Sequence, residues 1–191
     1  MRRGFLHVGL FMAALSFTVA ASAQQIVHAM AGKVTAVVPG SNTIQIVNED
    51  GSDSVFGTLT EKHVLIDFDK NVKAMTTPAS TFTKANCEVV VFYYGEEGAM
   101  TTVAVEDLGA SPLVKALGTI VKLDKHAHLI TIKDDAGQEQ TFHIDAKTLA
   151  DSSAGVVEGQ KFDANKGARV RVIAASLNGA STALFIRALT L

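Results

Sequence analysis

Gly32-Lys33-Val34-Thr35-Ala36-Val37 and Gly118-Thr119-Ile120-Val121-Lys122-Leu123 are near copies of one another, and their surroundings repeat with them. At the same offset Ile44-Gln45-Ile46 matches Ile130-Thr131-Ile132, and Val55-Phe56 matches Thr141-Phe142. After a variable stretch, Lys84-Ala85-Asn86-Cys87-Glu88-Val89-Val90-Val91 answers Asn165-Lys166-Gly167-Ala168-Arg169-Val170-Arg171-Val172. Both copies close on an alternating apolar segment, 101–108 and 182–189. Self-similarity at a long fixed offset marks a repeated structural unit. The break falls at Gly109-Ala110-Ser111-Pro112, where proline removes an amide donor and restrains the residue before it. The two units therefore span residues 28–109 and 113–191.

Within each unit the apolar period is two. Leu129, Thr131 and Lys133 point one way, while Ile130, Ile132 and Asp134 point the other, which is the pattern of a half-buried strand. Asp134-Asp135-Ala136-Gly137 supplies the turn into a second arm at Gln140–Ile144, and Asn48-Glu49-Asp50-Gly51 does the same in the first unit. Each unit predicts three strands in a meander, a crossing segment and two more strands. The crossing segments hold the only helix candidates, near Lys70–Met75 and Ala146–Ala150. Five strands with a long third-to-fourth connection curl up to hide their edges. The expected fold is all-β: two tandem small five-stranded barrels, or strongly curled antiparallel sheets.

The N-terminus reads as an export signal. Arg2 and Arg3 precede an apolar run from Phe5 to Ala20, and Ala21-Ser22-Ala23 offers a small-x-small cleavage site before Gln24. Residues 1–23 are expected to be removed, placing the mature chain in the periplasm or outside the cell. No cysteine stands at the cleavage point to take a lipid, and no later apolar run is long enough to span a bilayer. A stable membrane anchor after cleavage is therefore not expected.

The whole chain has 17 basic and 19 acidic residues, a formal charge of −2, and loss of Arg2 and Arg3 takes this to −4. No basic cluster alternates with aromatics, so nucleic acid is not an expected partner. Cys87 is the only cysteine, which excludes an intrachain disulfide. Its place before Glu88 and a valine run reads as the start of a strand.

The pattern Gly-x-Ile/Val-x-x-Val/Leu, an Ile-x-Ile hairpin with an acidic-glycine turn, and Lys-x-Gly-x-x-Val-x-Val resembles a group of small exported bacterial β-barrel domains, OB-like in shape, here in two tandem copies. The resemblance implies the barrel and no activity, since barrels of this shape serve many unrelated ligands. The first copy departs from it, with Asn86 in a stretch that lacks the glycine kept at Gly167.

Chemically suggestive groups are few. His126 and His128 flank one turn and His143 lies in the next strand, so three imidazoles suit copper or zinc if they converge. His28-x-Met30 is a second, smaller set. Asp67 and Asp69 share one side of an extended segment and read as a solvated face. The chain has no Gly-x-Ser-x-Gly elbow and no phosphate-cradling loop, which points away from an enzyme. The segments Val89–Tyr94 and Ala183–Ile186 are apolar on both faces. One face fills a barrel, and the other needs the second unit or another chain. Tyr93, Tyr94 and Phe185 border that surface and are the expected contacts with an envelope protein or a second copy. The leading expectation is a non-enzymatic exported binding or assembly module of the bacterial cell envelope. The alternative is a periplasmic copper- or zinc-binding protein built on His126, His128 and His143.

Overall fold

The computed structural model describes residues 24–58, 64–109, 113–177 and 180–189. The expected export signal at 1–23 and the expected break at 110–112 lie outside the described residues. In chain order the elements are β1 Gln25–Ile26, β2 His28–Val38, β3 Thr43–Asn48, β4 Asp53–Thr58, β5 Ile66–Asp67, α1 Lys70–Ala74, β6 Thr77–Pro78, β7 Glu88–Tyr94 and β8 Thr101–Gly109. They continue with β9 Val114–Asp124, β10 Leu129–Lys133, β11 Glu139–Ser152, β12 Gly155–Glu158, β13 Arg169–Leu177 and β14 Ala180–Leu189. The protein is all-β, with one six-stranded sheet from each half of the chain.

The second sheet runs β10-β9-β13-β14-β11-β12, and a β10–β11 pairing closes five of these strands into a barrel. The β11–β14 contact is parallel and the others are antiparallel. The first sheet runs β4-β3-β2-β7-β8-β6 and is strongly curled, with two residue pairs joining β4 to β8. Each sheet also gains a strand that the periodicity missed, β6 in the first and β12 in the second. Among the helix candidates, Lys70–Ala74 is helical and is capped by Asp69, which accepts the amides of Asn71 at 2.8 Å and Val72 at 3.2 Å. That role takes Asp69 out of the solvated pair expected with Asp67. Residues 146–150 are not helical: they belong to β11. Asp145 holds the amides of Lys147 and Thr148 in a local bend, Thr148 Oγ1 donates to the Ala183 carbonyl at 2.7 Å, and the chain then pairs with β14.

The two halves share irregularities as well as strands. The β2–β3 ladder skips Thr35 and the β9–β10 ladder skips Val121, each a one-residue bulge that sharpens the local twist. Asn86 takes a left-handed φ of 61° and donates its amide to the Val34 carbonyl. Gly167, with a φ of 92°, donates likewise to Ile120. Asparagine is among the few side chains that tolerate this conformation, so the missing glycine costs the first half little. Gly32 and Gly118 sit where strands approach most closely. A methyl group there would stand 2.5 Å from the carbonyl oxygen of Val47 or of Lys133.

Among the described residues, three apolar clusters hold the sheets. One fills the first half around Ile44, Phe56, Val89 and Val91, and another fills the barrel of the second half around Ile130, Phe142, Val170 and Ile186. The third joins them: Ala29, Val90 and Phe92 from the first sheet meet Leu149, Ile173 and Phe185 from the second. Alternation within single strands feeds two clusters at once. Val89, Val91 and Tyr93 turn into the first core, while Val90 and Phe92 turn to the seam. The rim of the seam is pinned by polar contacts. These are the Val156 amide on the Val27 carbonyl at 2.9 Å, Lys115 on Glu88 at 2.9 Å, Asn71 on Glu158 at 2.8 Å and Lys161 on Asp69 at 3.3 Å.

Gly118→Ala is expected to destabilise the protein by about 1–3 kcal/mol, the usual range for overpacking. Gly40→Ala has open space around it and is expected to stay within about 0.5 kcal/mol. Urea denaturation followed by circular dichroism checks the pair, and equal effects would contradict the close strand approach.

Candidate functional site

The strands place the sequence-derived candidates in two groups. His126 lies in the β9–β10 turn, where its amide and that of Ala127 donate to Asp124 Oδ1. His128 closes the same turn with a left-handed φ of 54°. His143 stands on β11 opposite Leu129, between the buried Phe142 and Ile144, and points outward. All three histidines are exposed. Among the described residues no group of three or more His, Cys, Asp or Glu side chains is gathered closely enough to hold a metal ion. The geometry therefore gives the three-imidazole reading no support. Cys87 is half-buried, and burial followed by the Asp107 charge raises its thiol above the ordinary value, so it stays protonated at neutral pH.

Of the aromatic candidates, Phe185 sits at the seam between the sheets, while Tyr93 turns into the first core. Phe185 is 1% exposed and belongs to the joining cluster, so its contact is with the other half of the same chain. Tyr93, 8% exposed, packs against Phe56 with ring centroids 5.2 Å apart and lies beside its register partner His28. Only Tyr94, at the end of β7, keeps a partly exposed side chain. The surface expected to receive another protein is thus largely covered from within.

Charged groups collect where the two sheets meet. His28 on β2 places Nδ1 3.2 Å from Asp151 Oδ1 on β11, and Asp151 is 3% exposed. Arg187 Nε stands 4.0 Å from the other Asp151 oxygen. Glu49, from the β3–β4 turn, reaches across so that Oε2 lies 3.2 Å from Arg171 Nε on β13. The Glu49 side chain is 4% exposed, and its Oε1 is buried with no partner among the described residues. The outward alternation of β13 explains the arginine positions: Val170 and Val172 fill the barrel core, and Arg171 points the other way. Arg171 and Arg187 are register partners on adjacent strands, so they stand side by side.

In front of these arginines opens a cleft of about 570 Å³, lined by Met30, Tyr93, Asp53 and Glu97 from the first half and by Arg171 and Arg187 from the second. A smaller cavity of about 370 Å³, among Ile66, Phe68, Val103 and Lys73, brings a single charged group to its wall. The seam cleft is where chemistry converges, and it is the candidate site. The sequence gives these cations little prominence, because each stands between apolar residues of a strand. The available signal was an arginine at an outward position in each of the two closing strands of the second unit. No protein-family model and no curated protein matches the chain, so the geometry carries the functional reading.

Burial pushes the Glu49 carboxyl up to about 7 from an ordinary 4.5, against the opposing pull of Arg171, Lys115 and Arg187. The hydrogen bond that His28 donates to Asp151 raises its imidazole above 6.5, with burial opposing. In both cases the folded value exceeds the unfolded one. The stabilising contribution is therefore complete at low pH and fades as pH rises through the folded value. For Glu49 the loss runs from about pH 4.5 to pH 7 and amounts to roughly 3 kcal/mol at 1.36 kcal/mol per unit. Wild-type protein is expected to lose stability across this window, whereas Glu49→Gln gives a flatter profile and greater stability at pH 8. Urea midpoints measured from pH 4.5 to 8 check this, and parallel profiles for the two proteins would contradict it.

Proposed function

We propose that this protein is a non-enzymatic binding module of the bacterial cell envelope. It is exported by the signal at residues 1–23 and built from two copies of an OB-like unit that hold a ligand cleft at their seam. The observation that carries the reading is the cleft itself. Two adjacent arginines face open space there, while the apolar faces of both sheets are already spent on each other. That distribution favours binding over assembly through an apolar surface, because Tyr93 and Phe185 are engaged within the chain. The coincident bulges at Thr35 and Val121, and the matching left-handed turns at Asn86 and Gly167, support two copies of one unit. The likeness of the sequence pattern to small exported barrels supports the compartment. Among the described residues no helix is long and apolar enough to cross a membrane.

Two linked measurements test the proposal. Residues 1–40 fused to alkaline phosphatase in a Gram-negative host are expected to give periplasmic activity and a processed end at Gln24. An unprocessed cytoplasmic fusion would contradict export. Full-length protein expressed in the same host and recovered under native conditions is expected to show a bound species by native mass spectrometry, lost on Arg187→Lys. A bare chain would contradict binding. Stoichiometric copper or zinc that disappears with His126→Ala and His128→Ala would put the histidine reading in its place.

A further inference from the structure

Arg171 and Arg187 are the two cations that line the seam cleft. Two cations directly opposite on neighbouring strands repel one another. Among the described residues each makes one ion pair with a buried carboxylate, through Nε, at 3.2 Å for Arg171 and 4.0 Å for Arg187, and Arg187 also meets the Tyr93 hydroxyl. Arg169, two residues from Arg171, shows what a satisfied guanidinium looks like here. Its Nη1 and Nη2 clasp both oxygens of Asp135 at 2.9 and 2.8 Å. The fork that suits a carboxylate is filled at Arg169 and, among the described residues, is not clasped in that way at Arg171 or Arg187.

The opposite wall has the opposite sign. Asp53 and Glu97, on β4 and in the β7–β8 turn, are exposed and make no ion pair among the described residues. Asp50 also lines the cleft, within reach of the Arg171 charge, with Oδ1 engaged by the amide and hydroxyl of Ser52. Met30, Met100 and Leu189 add apolar surface. Walls of complementary charge would collapse onto each other if the halves were free to close. The joining cluster and the rim contacts hold them apart, and the volume lies in the range of about 300–1,000 Å³ usual for ligand sites. A simple anion meets the carboxylates of Asp50, Asp53 and Glu97, and a simple cation meets the two arginines. A molecule carrying both charges meets neither penalty.

Resting on the binding reading above, we propose that the seam cleft binds a small zwitterion, an amino acid or short peptide. Its carboxylate lies on Arg171 and Arg187, its amino group faces Asp53 and Glu97, and its apolar side chain lies along Met30 and Met100.

Calorimetric titration of the full-length processed protein with the dipeptide Ala-Leu tests this, alongside N-acetyl-Ala-Leu, Ala-Leu amide and inorganic phosphate. The free dipeptide is expected to bind with a dissociation constant below about 1 mM. Each blocked form is expected to bind at least tenfold more weakly, and phosphate not at all. Arg187→Lys keeps the charge beside Asp151 and loses the fork, and it is expected to weaken the dipeptide at least tenfold. Asp53→Asn with Glu97→Gln, both at exposed positions, is expected to bring the free and N-acetylated forms to equal affinity. Thermal midpoints of the variants show that they remain folded. Equal binding of free and blocked dipeptides, binding of phosphate alone, or no binding at 10 mM would each overturn the assignment. If the dipeptide fails while protein recovered from the host carries another ligand, the ligand class alone falls. If that protein is also bare, the binding reading falls with it.

Discussion

A strand with apolar side chains on both faces needs a cover on each side, and β7 obtains one cover from each half of the chain. Val89, Val91 and Tyr93 are buried against the first core, and Val90 and Phe92 against Leu149, Ile173 and Phe185 of the other sheet. The same division operates in the second half, where Ile186 enters the barrel and Phe185 leaves it for the seam. Removing either sheet would expose the seam-facing side chains of the other. The apolar seam therefore governs the relative placement of everything that lies along it.

The charged groups depend on that placement. Glu49 and His28 belong to one half, and their partners Arg171 and Asp151 to the other. Burying such groups costs free energy that only a paired, well-positioned arrangement recovers. Glu49 is recovered in part: one oxygen faces Arg171, the other has no partner among the described residues, and the carboxyl responds by holding its proton to about pH 7. An apolar seam flanked by incompletely satisfied polar groups separates two tasks. The apolar part fixes the geometry, and the polar part carries the groups that respond to pH.

The strand pattern was legible in the sequence because a period of two, punctuated by acidic-glycine turns, is a local property. The doubled pattern of Gly32 and Gly118 was legible too, and its cause is the close approach of a neighbouring carbonyl. Ala146–Ala150 misled because Ala-Lys-Thr-Leu-Ala has no strand-like alternation, and only the Asp145 bend and the pairing with β14 show why it is extended. The site was much less readable. Glu49 looks like any acidic turn residue, and its burial follows from a contact with a strand far along the chain. Phe185 did mark an interface, one that lies between the sheets of a single chain, whereas Tyr93 is spent on the first core. The histidines were conspicuous by residue type, yet the alternation that buries Phe142 and Ile144 turns His143 outward.

The most direct test of the seam is residue-resolved amide hydrogen exchange on wild-type protein and on Phe185→Ala. That substitution removes a fully buried aromatic ring, with an expected cost of about 3–5 kcal/mol. If the sheets are held as one cooperative body, protection falls in Val89–Phe92 of the first half as much as in β13 and β14. If protection falls only in the second half while β7 exchanges as before, the two sheets do not depend on one another. The seam would then not be the organising contact of the fold.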